Sequence, residues 1–141
     1  MGGMWMFTKD GFFSTVKDRY CGDNEVVVRA RVREDLERFC ARFGIGAEAI
    51  KTFSQADYAF RVQVLQSEWA QYVQDMAASI DYPNFKGTVI ARDHDRHRAY
   101  MECWQALHDW QEMTMRINWI NRNPTIWRDE ELVEPPPWLD R

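Results

Sequence analysis

Apolar and polar residues alternate with a period of two where a strand turns one face inward. The clearest such stretch runs from Glu25 to Val32. There Val26, Val28, Ala30 and Val32 share one side, and Val27, Arg29, Arg31 and Arg33 the other. The pattern predicts a strand with one face in the core and a row of guanidinium groups on the opposite face. Two shorter strands are predicted before it, over Trp5–Phe7 and Phe12–Lys17. Lys9-Asp10-Gly11 lies between them, and an Asp-Gly step is a strong hairpin signal. Tyr20 to Asn24 reads as a loop.

The period then lengthens. Leu36, Phe39, Cys40 and Phe43 recur at three- and four-residue spacing, which predicts a helix over 34–43. Glu34, Asp35 and Glu37 suit its positive end and Arg38 and Arg42 its negative end, and Gly44 is a natural stop. Ile45 to Glu48 forms a turn or one extra helical turn. A second cycle comes next: a strand over 50–53, a turn over 54–57, and a strand over 58–65 with Tyr58, Phe60, Val62 and Val64 on one face and Arg61 and Gln63 on the other. Ser67 is a suitable N-cap for a helix bearing Trp69, Tyr72, Val73 and Met76. The two helices align at a constant offset of 33 residues, so each half reads as strand, turn, strand, helix.

Pro83 and Gly87 make the segment around Asp81-Tyr82-Pro83-Asn84-Phe85-Lys86 a loop or helix junction. Tyr82 and Phe85 would anchor it, and Asp81 or Asn84 would cap the next segment; a recognition knob is the competing reading. Residues 93–117 predict the longest helix, with Tyr100, Cys103, Trp104, Leu107, Trp110, Thr114 and Ile117 on a broad apolar face. From Asn118 the pattern fails. The last stretch is acidic and ends in Pro135-Pro136-Pro137-Trp138, which excludes helix there. The expectation is α+β: one domain over 1–120, with a largely antiparallel sheet of four or five strands built from two ββα-like units. Helices cover one face and a long third helix closes the core, with a tail over 121–141.

At 141 residues with 45% hydrophobic content, the chain can bury a core without a metal or disulfide staple. No apolar run reaches the roughly 20 residues of a membrane span, and the N-terminus does not read as a signal peptide. Cys21, Cys40 and Cys103 are odd in number and form no CxxC pair. That favours a reducing compartment, the cytoplasm, with Cys40 and Cys103 as small buried hydrophobes. A net charge of −4 argues against general coating of nucleic acid.

Candidate chemistry centres on the arginines. Arg29, Arg31 and Arg33 project from one strand face, and Arg61 joins them from the second cycle; Lys17, Arg19, Phe12 or Phe13 lie nearby if the hairpin pairs there. Such a face suits an acidic protein partner or single-stranded nucleic acid or nucleotide; the plainest reading is a solvated face paired with Glu25, Glu34 and Asp35. Seven tryptophans, five of them in the last 38 residues, make a second candidate surface, in which Trp119, Trp127 and Trp138 would meet a partner or another copy; a tryptophan-rich core is the alternative. His94 and His97 with Asp93 and Asp95 form no complete ligand set, and His108 lies roughly 16 Å along the helix from His97, so no metal and no cofactor is expected. No nucleophile or phosphate-loop motif is present, so no catalytic residue can be named.

The strings Met4-Trp5-Met6-Phe7-Thr8, Gly11-Phe12-Phe13-Ser14, Val28-Arg29-Ala30-Arg31-Val32-Arg33-Glu34-Asp35-Leu36, Asp57-Tyr58 and Asp81-Tyr82-Pro83-Asn84-Phe85-Lys86 resemble a group of short uncharacterised bacterial proteins. The resemblance runs from about Met4 to Trp110, implies a bacterial protein without an assigned activity, and suggests that Met1 to Gly3 is an added leader or an alternative start. Together these readings lead to a small cytoplasmic interaction protein without catalysis. It would bind a protein, or itself, through the arginine face or the tryptophan-rich C-terminal region. Binding of nucleic acid or nucleotide on the same face comes second, and an enzyme with a dispersed site third.

Overall fold

The computed structural model describes residues 3–90 and 93–122. By compactness the chain divides into two units, at Thr88 and Val89.

The first unit is an antiparallel sheet with two helices on one face. Its strands are β1 (Gly3–Thr8), β2 (Gly11–Val16), β3 (Glu25–Ala30), β4 (Lys51–Thr52) and β5 (Phe60–Leu65), in spatial order β1-β2-β3-β5-β4. Helices α1 (Arg33–Arg42) and α2 (Gln66–Ala78) come directly after β3 and β5. Within this order β2-β3-β5-β4 is symmetric about the β3–β5 pair: β2, β3 and α1 on one side and β4, β5 and α2 on the other each run strand, strand, helix, and β1 is added at the edge. The two-unit ββα organisation read from the offset is therefore a property of the structure.

The alternation in β3 divides the two faces. Val26, Val28 and Ala30 enter the core, with Phe13 from β2 and Val62 and Val64 from β5. Leu36, Phe39 and Cys40 of α1 and Trp69, Tyr72 and Met76 of α2 cover them. Phe13 is at the centre of an aromatic cluster, 5.4 Å from the Tyr72 ring and 6.0 Å from both Phe39 and Trp69. Each such buried side chain contributes roughly 1.5–3 kcal/mol by leaving water.

Helix α1 is tied to the hairpin by a buried carboxylate. Asp35, 2% exposed, accepts the Phe12 N–H at 3.1 Å and an Arg38 N–H at 2.6 Å. The same guanidinium donates twice to the Asp10 carbonyl, at 3.0 and 2.8 Å. A charge this deep is tolerated because it is paired and hydrogen-bonded. It also explains Gly11. The two-residue turn is Lys9-Asp10, so Gly11 is not at its centre but pairs with Thr8 in the last rung. A Cβ there would come within 2.8 Å of the Phe13 ring and 3.1 Å of the Asp35 carboxyl carbon. The Asp-Gly signal locates the hairpin; close packing, not turn geometry, requires the glycine.

Helix α1 ends as the sequence indicates. Gly44 has φ 66°, and the Ile45 N–H returns to the Cys40 carbonyl at 3.0 Å. A 3-10 turn occupies Ala47–Ala49. Helix α2 starts earlier than the sequence pattern predicts. Ser67 lies in its first turn, and the Glu68 carboxylate accepts the Leu65 N–H at 2.9 Å. A short helix, α3 (Phe85–Ile90), occupies the Asn84 junction. Tyr82 and Phe85 pack at 6.2 Å, and the Asn84 side chain accepts the Gly87 N–H at 3.5 Å.

The second unit contains α4 (His94–Arg122). It passes through Asn118, where the sequence pattern fades, because helix hydrogen bonding continues through residues that present no apolar stripe. The core cluster is complete within residues 6–76, and Trp104, Leu107, Trp110 and Ile117 on the apolar face of α4 are exposed. Two helices already cover the inner face of the sheet. Cys103, expected to be buried, is exposed with them, while Cys40 is buried.

A candidate interaction surface on the open sheet face

The face of the sheet away from α1 and α2 carries the candidate site. Strand pairing sets Trp5 opposite Ser14, Ser14 opposite Arg29, Arg29 opposite Arg61, and Arg61 opposite Lys51. Directly paired residues share a face, so one row crosses all five strands.

Arg29 is half-buried in this row. It donates to the Ser14 hydroxyl at 2.7 Å and to the Ser14 carbonyl at 3.4 Å. Its guanidinium carbon lies 4.7 Å from the Tyr58 ring centre. Arg31 lies just past the end of β3, 4.2 Å from the same ring, and pairs with the Asp57 carboxylate at 3.1 Å. Burial works against the Arg31 charge, but bonding to Asp57 and the proximity of Tyr58 outweigh it and raise its pKa. Arg61 lies 5.5 Å from the Phe53 ring and donates to the Tyr58 carbonyl at 3.4 Å. Among the described residues neither Arg29 nor Arg61 has a carboxylate within ion-pair distance.

Two of the expected positions change. Arg33 is not on the strand: β3 stops at Ala30, and Arg33 opens α1, where it pairs with Glu37 at 2.9 Å. Tyr58 is not part of β5, which begins at Phe60, and its ring lies on the open face instead of the core face. From the preceding loop it reaches over β3 and is only 3% exposed. Its hydroxyl is buried and makes no hydrogen bond of normal geometry among the described residues. No alternation pattern could place it, because the pattern applies only within a strand.

Aromatic rings extend the row. Phe12 lies 6.5 Å from Tyr58, 4.6 Å from Phe7 and 6.0 Å from Trp5. Trp5 is 68% exposed. The result is a band of rings and guanidinium groups running from the β1 edge to β4. Trp119 is in α4 and half-buried; Trp127 and Trp138 lie outside the described residues.

A separate cavity of about 300 Å³ is lined by Asp10, Asp35, Arg38, Phe39, Arg42 and Tyr72. Burial raises the Tyr72 hydroxyl pKa, partly offset by its contact with Thr8 at 3.2 Å. These groups hold α1 and α2 to the hairpin. No group of three metal-ligating side chains occurs among the described residues, and none of their helices is long and apolar enough to cross a membrane.

The antiparallel sheet with helices on one face and a long C-terminal helix defines an α+β protein. Comparison with protein-family models, with curated proteins and with solved structures gives no match.

Proposed function

We propose that this chain is a small interaction protein, not an enzyme, that receives an acidic segment of a protein partner on its open sheet face. The carrying observation is the direct cross-strand pairing of Arg29 with Arg61, with no carboxylate among the described residues to compensate them. Like charges directly opposite each other destabilise a sheet, and an acidic partner turns that cost into attraction. The flanking rings of Trp5, Phe12 and Phe53 supply the apolar contact that carries interface affinity. A protein partner fits better than nucleic acid. The row offers Arg29, Arg61 and Lys51, the chain carries a net charge of −4, and Asp57 already occupies Arg31. Free thiols at Cys21, Cys40 and Cys103 support a reducing cytoplasm as the setting.

The test is an amide-resolved NMR titration with a Glu- and Phe-containing peptide and, separately, with an oligothymidylate. The expected result is peptide-induced shifts at Ser14, Arg29, Arg61 and Lys51, lost on Arg29→Glu with Arg61→Glu and retained on truncation after Arg122. Shifts from the oligonucleotide alone transfer the surface to nucleic acid. Peptide binding that disappears with the truncation moves it to the C-terminal tryptophans. A peptide that shifts none of the row overturns the proposal.

A further inference from the structure

Helix α4 carries a feature that the sheet face does not use. Cys103, Leu107, Trp110, Thr114 and Ile117 succeed one another at spacings of four, three, four and three. This is the a/d repeat of a helix that packs lengthwise against another helix. The stripe is open: Leu107 is 59% exposed, Trp110 63% and Ile117 50%.

The positions flanking such a seam normally carry the charges that select a partner and set its orientation. Here they are Trp104, Ala106, Gln111, Met113, Asn118 and Ile120, none of them charged. The charges of this stretch fall away from these positions, at Glu102, Asp109, Glu112 and Arg116. A foreign helix would find no charge to recognise, whereas an identical helix meets no like-charge repulsion and presents a stripe of matching length.

We infer that α4 pairs with α4 of a second copy of this chain through the stripe centred on Leu107, Trp110 and Ile117. The area is adequate. The five large side chains from Trp104 to Ile117 offer on the order of 600 Å² per copy, near the roughly 800 Å² per partner of a standard interface. An isologous pair of this kind closes on itself, so association stops at two. The sheet face takes no part in the pairing, which makes the assembly independent of the function proposed above.

Sedimentation of the full chain over about a hundredfold concentration range tests this. The expected mass rises from 16.8 kDa toward twice that value. Over the same range, labelling of exposed Cys103 by a maleimide slows, read by peptide mass. Leu107→Glu with Ile117→Glu holds the protein at the monomer mass and Cys103 at the fast rate. Asp109→Lys, away from these positions on the same helix, leaves the dimer intact. A wild type that stays monomeric throughout overturns the inference. So does a dimer that survives the double Glu variant, and so does equal loss in Asp109→Lys.

Discussion

A guanidinium facing a guanidinium across two strands is a local defect in a sheet, and its removal has a signed consequence. Arg61→Gln and Arg61→Glu lose the same stacking on Phe53 and the same contact with the Tyr58 carbonyl. They differ in what they set opposite Arg29. The Glu substitution creates an opposite-charge cross-strand pair, worth about 0.2–1 kcal/mol. In urea titrations the Glu variant should therefore be the more stable of the two by that amount, while both bind the acidic peptide less tightly. Equal stability would mean that Arg29 does not feel position 61. Single positions are legible in the sequence where alternation governs, as at Val26, Val28, Arg29 and Arg61. Tyr58 and Arg33 are not, because one is swung in from a loop and the other is taken up by a helix start. Nothing in a linear pattern shows that Asp35, an acidic residue in a first helical turn, ends up buried against the Phe12 amide.

At the scale of the element, the start of α4 is secured by Asp93, whose side chain accepts the Arg96 N–H at 2.9 Å. That backbone hydrogen bond is the main reason the Asp93 carboxyl titrates below its ordinary value. Because the folded pKa is depressed, the stabilisation is complete above the unfolded value and is lost as the pH falls through the folded one. Asp93→Ala should cost the first turn of α4 about 0.5–2 kcal/mol at neutral pH, and Asp93→Asn much less. Amide exchange of that turn is the measurement. Its protection should decline on acidification in the wild type and stay level in Asp93→Asn; unchanged exchange in Asp93→Ala would remove the cap from the account. Element boundaries are legible where a residue enforces them, as at Gly44. They are hidden where the backbone continues without an apolar signature, as from Asn118 to Arg122, or where Glu68 fixes a start that Ser67 is equally suited to fix.

At the scale of the whole molecule, the core cluster is complete within residues 6–76. The chain from Met1 to Thr88 should therefore fold by itself, with dispersed amide resonances and a single cooperative unfolding transition. A fragment with a collapsed spectrum would show that the core needs the remainder of the chain. The antiparallel class and the doubled ββα pattern are visible in the periodicities. The order β1-β2-β3-β5-β4 is not, because a period of two says which way side chains point and nothing about which strand lies alongside.

The central pairing of β3 with β5 has a consequence for the chain as it is being made. Its partners lie 30 to 40 residues apart, from Ala30 with Phe60 to Glu25 with Leu65. The β1–β2 hairpin can close soon after it leaves the ribosome. Val28, Leu36 and Phe39, by contrast, have no complete place to go until β5 and α2 have been synthesised. Contacts this distant in sequence form late. The nascent protein thus passes through an interval in which core side chains of β3 and α1 are outside the ribosome and still uncovered, and that interval is when it is most exposed to aggregation and most in need of a chaperone.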